Sequence, residues 1–540
     1  MNRMRRTGFQ AVLLGLGAFG VYLATLAPGV TFGDGPELTT AACQLGVPHP
    51  TGYPLYMLLG HAFIRLVPAG SPASRMNLLS AVCAAAAVAL LYLLAVRIAR
   101  NRPAAAAGTL LFAFGLTFWS QAVAAEVYAL HVLLMTAVLL CAVEWDRRGD
   151  ARWLRGAAAV WGVAFAHHLS SVLLAPALLY WLATSRRPGR WRELLRAIPL
   201  VLLPLLLYLY LPWAALRDPA MNWGDPRTWE RFWAHVTGAQ YHGRIGMDSP
   251  ADLWRRLAAF ALPPSGHDNP GYLLTEFGPA IAWLAPVGAW SLWRRRRRWL
   301  GFTLLAWLSV VGWGLAYNIP DVDVYFLMAH AMFAVWVAVG LRTVWAWARR
   351  VWRRRAPSPL ARRAARPVLA AMAGLVVLAV LAGGWEGSSR RGDSAPARLA
   401  AATLGFPRPN AVIIGLGDNV VFPALYAHCV EGRRPDLVLV FLRDLLYRDR
   451  VRMVQRLAKR GLVVRVPPAY LATPRVTRDT ALLRQFVADN LARRPIYFLG
   501  CDEEMLRDLR DQKRAIPDFA WVRGAMVPLA QVVAHEAHGH

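Results

Sequence analysis

The sequence predicts an α-helical polytopic membrane protein of about eleven spans, followed by a C-terminal α/β domain. Three observations carry this. Hydrophobic residues make up 56% of the 540 residues and charged residues only 17%, where a soluble domain carries about 25% charge. Apolar segments recur at close to the roughly 20 residues that a bilayer helix needs. The loops between them alternate between arginine-rich and arginine-poor. The charge is also lopsided, with 61 Lys and Arg against 32 Asp and Glu, a net +29. Such apolar content excludes disorder. Five cysteines are too few for a disulfide scaffold. The basic charge gathers in short loops, so it does not indicate a nucleic-acid partner.

The candidate spans are 9–27, 74–96, 104–120, 128–144, 153–167, 169–184, 197–213, 276–293, 299–317, 324–343 and 367–384. Arg3, Arg5 and Arg6 precede the first. Arg97, Arg100 and Arg102 follow the second, and Arg147, Arg148, Arg152 and Arg155 the fourth. Arg186 to Arg196 follow the sixth, the unbroken run Arg294 to Arg298 the eighth, and Arg349 to Arg366 the tenth. The positive-inside rule places these loops, and the N-terminus, in the cytoplasm, where arginines meet anionic lipid headgroups. Segments 28–73, 121–127, 214–275 and 318–323, and everything from 386, then lie outside an inner (plasma) membrane. The first span has a basic start but no A-x-A-like cleavage site, so it is expected to be retained. Many of the 23 Trp, such as Trp119, Trp213, Trp293 and Trp299, fall at predicted span ends, as interfacial anchors do.

This divides the chain into a membrane domain, 1–385, and a soluble domain, 386–540. In the second, 411–416, 436–442, 462–466 and 496–500 read as short buried strands. Helical stretches 445–460 and 479–493 lie between them, an alternation typical of α/β folds. Gly415-Leu416-Gly417-Asp418-Asn419 follows a strand as nucleotide loops do, but lacks G-x-G-x-x-G. Cys429 and Cys501 form either a bridge or two buried thiols. His535, His538 and His540 do not match H-E-x-x-H spacing, so a frayed tail is expected rather than a metal site.

Segment 31–56 concentrates the chemistry. Asp34 and Glu37 are the only carboxylates before residue 126. Gly33, Gly35 and Pro36 are expected to hold them in a turn rather than a regular helix. A plain surface turn is the alternative. Two carboxylates at a membrane face, followed by an apolar stretch and His49-Pro50, favour a pocket.

The ordered motifs resemble a known family. They are D-x-x-E (Asp34, Glu37), VPHPTGYPLY (His49, Tyr53), RMNLLSA (Arg75, Asn77), AEVYAL (Glu126, Tyr128) and AHHLS (His167, His168). NWGDP (Asn222, Trp223, Asp225), with Tyr241 beyond it, and YNIPDVDVYFL (Asn318, Asp321, Asp323, Tyr325) continue the series. NAVIIGLGDNVVFP and EGRRPDLVLV mark the tail. Together they resemble the polytopic proteins that include the vertebrate endoplasmic-reticulum O-mannosyltransferase acting on receptor ectodomains. The family's acidic loop reads close to D-S-G-E, whereas here it is D-G-P-E.

The resemblance implies a GT-C-type glycosyltransferase using a sugar on a polyprenyl phosphate, with protein Ser/Thr as acceptor and mannose as sugar. Asp34 would be the base and Glu37 its partner. Arg75, His167 and His168 would bind the donor phosphate. His49, Tyr53, Asn77, Glu126, Tyr128, Asn222, Trp223, Asp225, Asn318, Asp321, Asp323 and Tyr325 would line the substrate site. Glu126 could instead serve a helix N-terminus, and N-W-G-D-P is also a good turn. The acids and the His pair supply enough hard ligands for a divalent ion, but no obligatory metal is expected. A lipid or envelope-glycan acceptor is the alternative. A transporter or flippase is the alternative of another class, although the halves show no repeat.

Overall fold

The computed structural model describes residues 3–263, 271–355, 359–442, 445, 456–466 and 481–500. Helix α1 (Arg3–Ala24) is followed by two short helices, α2 (Gly35–Gln44) and α3 (Pro54–Leu66). Helix α4 (Pro72–Ala99) starts where the Ser71 hydroxyl accepts from Ser74 N–H, the usual N-cap bond. Asn101 caps α5 (Arg102–Ala113) in the same way. Gly115 then breaks the chain before α6 (Leu116–Ala122), which bends away by 69°. Helix α7 (Tyr128–Arg148) ends at Gly149 with φ 73°, the left-handed cap that glycine favours. Next come α8 (Ala151–Phe165), a 3-10 turn (Leu169–Leu174) and α9 (Ala175–Ala183). Helices α10 (Arg190–Leu202) and α11 (Tyr210–Leu216) form one apolar run. The short α12 (Trp229–Val236), α13 (Pro250–Ala261), α14 (Tyr272–Phe277) and α15 (Pro279–Ala282) precede α16 (Leu284–Arg295), α17 (Arg297–Ala316), α18 (Leu327–Arg355) and α19 (Pro359–Ser388).

Among the described residues, seven helices are long and apolar enough to cross a membrane, or eight if the bent α5–α6 pair is one span. The chain is an integral membrane protein. Seven of the eleven expected spans coincide with these helices, and 104–120 is the bent pair. The other three are shorter or broken. Segment 153–167 is the 15-residue α8. Segment 169–184 begins with a 3-10 turn. Segment 276–293 is interrupted at Gly278 and at Trp283. Hydropathy sums side chains and is blind to such backbone breaks.

Helix α18 is the most enclosed of the long helices and packs against α16, α5, α17 and α4. Its contact with α16 depends on two glycines. A Cβ on Gly288 would strike the Trp336 carbonyl, and one on Gly340 the Leu284 carbonyl. Lipid offers helices no hydrophobic drive to associate, so close backbone packing must supply it.

The bundle has two chemically distinct ends. At one, Arg97 and Arg148 hold Glu144, the latter at 2.6 Å. Arg298 holds Asp146 at 2.6 Å and lies 3.7 Å from the Trp181 ring centroid. These sit at the C-terminal ends of α4 and α7 and the N-terminal end of α17. At 28 residues, α4 spans about 42 Å. Its other end meets the acidic loop. Trp119 does not sit at an interface: it is fully buried and donates to the Thr25 hydroxyl at 2.9 Å. Trp213 and Trp293 are exposed, as anchors should be.

Beyond α19 lie α20 (Ala395–Gly405), β1 (Val412–Gly415), α21 (Asp418–Cys429), β2 (Val438–Phe441), a helix at Ala481–Leu491 and β3 (Ile496–Leu499). The strands form a parallel sheet in the order β2-β1-β3, with Val412 opposite both Val438 and Ile496. Parallel neighbours require crossovers, and α21 provides the first. Three expected strands are present. The fourth, 462–466, is not a strand. There the Asn490 side chain takes the place of a neighbouring strand, bonding both Val463 N–H and Val463 C=O at 2.8 Å. Of the expected helix 445–460, the described part ends in a 3-10 turn, Arg456–Arg460. Cys501, with any bridge to Cys429, and the C-terminal histidines lie outside the described residues.

Replacing Gly340 by Val should push α16 and α18 apart at a cost of about 1–3 kcal/mol. Thermal unfolding of the purified protein checks this. Gly17→Ala, with nothing within 4 Å of the added carbon, should leave the midpoint unchanged.

Candidate active site

The acidic loop is the start of a helix. Asp34 is the N-cap of α2, Pro36 occupies its first turn, and Glu37 follows. Proline loses nothing at a position whose N–H has no helical partner, and acids there oppose the helix dipole. The expected irregular turn is thereby corrected: the same residues that suggest a turn also suit a helix N-terminus. The Asp34 side chain makes no capping bond and remains 37% exposed, whereas the Glu37 side chain is 0% exposed.

Glu37 is committed to His49. One carboxylate oxygen accepts the His49 backbone N–H at 2.6 Å, and the other takes Nδ1–H at 2.6 Å. The remaining ring nitrogen, Nε2, lies 3.0 Å from the Tyr53 hydroxyl and 3.7 Å from an Asp34 oxygen. Burial alone would lower the pKa of His49, but the charges of Glu37 and Asp34 and the Glu37 hydrogen bond raise it to about 10. Burial pushes Glu37 up, and His49 works against that. At neutral pH the pair is therefore ionic, with the imidazolium facing Asp34.

The backbone delivers His49 to this place. After α2, Leu45 turns left-handed (φ 52°), and Gly46 N–H closes on Ala41 C=O at 2.8 Å. Gly46 then passes so near the Met221 carbonyl that a Cβ would collide with it. Val47 pairs with the large loop, its N–H on Met221 C=O and its C=O on Trp223 N–H, both at 2.9 Å. This brings the Trp223 ring to 6.3 Å from His49.

Behind His49 lies an aromatic and histidine cluster. Tyr53 stacks on His168 at 5.7 Å. His168 is 4.9 Å from His131, 5.9 Å from Tyr128 and 5.8 Å from Tyr325. The Ser170 hydroxyl joins His168 Nδ1 (2.8 Å) to His131 Nε2 (3.1 Å). His167 donates to Val127 C=O at 2.9 Å. The other nitrogens of His131 and His167 are buried and unpaired among the described residues. Glu126 lies at the opposite edge, where a Cβ on Gly33 would be 3.7 Å from its carboxylate. Burial, and then the Asp34 charge, push Glu126 well up, with Asp321 adding to the effect. Asp321 itself is exposed at the N-terminus of a 3-10 turn, Val322–Phe326, that also contains the half-buried Asp323.

Other residues singled out from sequence have different work. Arg75 donates to the carbonyls of Ile64 (2.6 Å), Pro68 (3.2 Å) and Ala69 (3.3 Å), closing the end of α3. Asn77 ties down the loop after α1 through Ala27 C=O (2.9 Å) and Gly29 C=O (2.8 Å). Asp225 is buried between Arg227 (2.7 Å) and Arg231 (3.1 Å), with Asn222 on its other oxygen at 3.3 Å, so both shape the large loop. Asn318 is exposed and bonds Arg244 C=O through its backbone N–H. Sequence reasoning missed His131 and Ser170. His131 lies one helical turn after Tyr128, and that spacing places the two on one face.

The ligand atoms of Asp34, Glu37 and His49 lie within 4.8 Å of one another. They could hold a divalent ion only if His49 gave up the proton that Glu37 and Asp34 favour.

Replacing His49 by Ala leaves Glu37 buried without a counter-charge, at a cost of about 3–5 kcal/mol. The folded-state pKa is raised from the ordinary 6.5 to about 10. The stabilisation from the pair is therefore complete below pH 6.5 and is lost as pH rises towards 10. Unfolding midpoints should fall over that window in the native protein and much less in His49→Gln.

Residues 34–190 match the family described as the protein O-mannosyl-transferase TMEM260 N-terminal domain. Over 447 residues, 79% of this chain, it is 27% identical to the protein O-mannosyl-transferase TMEM260 of Mus musculus. Over 91% of the chain it is 21% identical to the Dictyostelium discoideum protein of that name. These matches cover 62% and 63% of the two proteins, so the chain spans about three-fifths of the length of the curated relatives it matches. Among solved structures, it is similar to ArnT from Cupriavidus metallidurans bound to undecaprenyl phosphate. The identity is 15%, the coverage 86% of this chain and 94% of that one, and the TM-score 0.54; this is a likeness of fold. The chain is thus a polytopic membrane protein that resembles the TMEM260 N-terminal domain over residues 34–190 and shares its overall fold with ArnT.

Proposed function

We propose that the chain is an inverting glycosyltransferase that moves mannose from a polyprenyl-phosphate donor to Ser or Thr hydroxyls of extracytoplasmic proteins. Residues 1–385 form the membrane-embedded catalytic domain and 386–540 an extracytoplasmic α/β domain. The observation that carries this reading is Asp34: a half-exposed carboxylate at the mouth of the site, facing an imidazolium that Glu37 holds in place. The matched family domain begins at Asp34 itself and extends past the His pair. The fold likeness to a protein solved with undecaprenyl phosphate supports a lipid-linked donor. The separation of arginines and loop carboxylates to opposite bundle ends supports a cytoplasmic N-terminus and an outward-facing site.

In the reaction, the acceptor oxygen bonds to the anomeric carbon as the bond from that carbon to the phosphate oxygen breaks. Asp34 takes the hydroxyl proton, and polyprenyl phosphate departs with the bonding electrons. Glu37, with both oxygens occupied by His49, orients that ring rather than sharing the base role. Glu126 and Asp321, across from Asp34, face the sugar hydroxyls. A narrow gap between α7, the 3-10 turn before α9, α17 and α18 is lined by Tyr128, His131, Ser170 and Tyr325 on its polar side and by Met135, Leu173, Val310, Leu327 and Met328 on its apolar side. In this reading these helices part there to admit the donor phosphate.

Purified protein given polyprenyl-phosphate mannose and Ser/Thr peptides should transfer mannose. Asp34→Asn should lower kcat by about 10²–10⁴-fold without changing the unfolding midpoint. Undiminished transfer would overturn the base assignment, and transfer only to lipid or glycan acceptors would overturn the protein acceptor. Separately, His131→Ala should raise the donor KM about tenfold or more, the loss of a hydrogen bond to a charged group, with the acceptor KM unchanged.

A further inference from the structure

We infer that the tail completes the active site, and that Asn419 is a positioning residue for Asp34. The inference rests on the glycosyl-transfer reading above. Asn419 belongs to the Gly415-Leu416-Gly417-Asp418-Asn419 turn, which leaves β1 and enters α21. Its side-chain oxygen accepts the backbone N–H of Gly33 at 2.7 Å. Gly33 has φ 81°, so the left-handed residue that aims the chain into Asp34 is held by a side chain of the other domain.

The rest of α21 makes this contact reproducible. Phe422, Leu425 and Tyr426 are buried, the first two within the core of the membrane domain. The Tyr426 hydroxyl accepts Ala73 N–H at 3.4 Å. At the far end of α2, Gln44 donates to Cys429 C=O at 3.5 Å. Phe422 lies 6.4 Å from Trp223, whose ring in turn lies 6.3 Å from His49. Apolar burial thus seats the helix. The exposed Asn419 bond adds little to docking and acts on the geometry of Asp34. The turn resembles a phosphate loop in sequence only, because its asparagine oxygen is committed to Gly33.

The test uses the full chain with polyprenyl-phosphate mannose and an acceptor peptide. Asn419→Ala should lower kcat about 10–100-fold, the scale of a small misplacement of a catalytic group, with donor KM and unfolding midpoint unchanged. Asn419→Asp keeps the acceptor oxygen and should restore most of kcat. That rescue by the conservative variant separates positioning of Asp34 from a merely structural role. Tyr426→Phe, which loses only a docking contact, should retain wild-type kcat. Wild-type kcat in Asn419→Ala, or an equal loss in Tyr426→Phe, would overturn the inference. If the wild type transfers no sugar, the functional reading falls, and hydrogen exchange across 30–38 still decides the Asn419 tie. Exchange should rise in Asn419→Ala alone, and unchanged exchange would overturn the inference.

Discussion

A carboxylate with no access to water must be neutral or paired, and the site is organised around that requirement at Glu37. Pairing Glu37 with both the backbone and the ring of His49 fixes the path of the chain from α2 to α3. It also determines which ring nitrogen is left to face Asp34. Because the ring is pinned, Tyr53 can pack between it and His168, and the histidine cluster inherits its orientation from there. The bonds from Val47 to the large loop follow from the same path, since Val47 lies just before His49.

The membrane bundle serves this arrangement by being asymmetric along its axis. At one end Arg148 pairs with Glu144 and Arg298 with Asp146, within a strong excess of arginine. At the other end the acids outnumber the cations, and His49 is the positive group placed among them. Asp34, Glu37 and Glu126 gathered about one imidazolium are unfavourable for folding alone. Such an excess is the usual mark of a site whose electrostatics are arranged for a ligand.

The helical membrane class and the two acids were legible because each depends on local information: apolar run length for the spans, and scarcity for Asp34 and Glu37. The His pair was legible because polar rings at a helix junction stand out. The partners of Arg75, Asn77 and Asp225 were not legible, because they are carbonyls and side chains that only the folded loops bring near. Expected spans 104–120, 169–184 and 276–293 are not single long helices, because Gly115, the 3-10 turn at Leu169 and Gly278 interrupt the backbone without lowering hydropathy. The strand at 462–466 failed for a similar reason: an apolar β-rich run needs a neighbouring strand, and Asn490 took that position. The turn holding Asn419 stood out only as a look-alike of a nucleotide loop, because its contact with Gly33 spans 386 positions of chain.

That separation has a consequence in time. Ribosomes add roughly 5–20 residues per second, so roughly 20–80 s pass between the synthesis of Gly33 and of its partner. Throughout that interval the acidic loop has been made and its membrane helices are being inserted, while the group that aims Asp34 does not yet exist. A nascent chain would carry its chemistry unaimed, and competence to react would arrive only once α21 had been made.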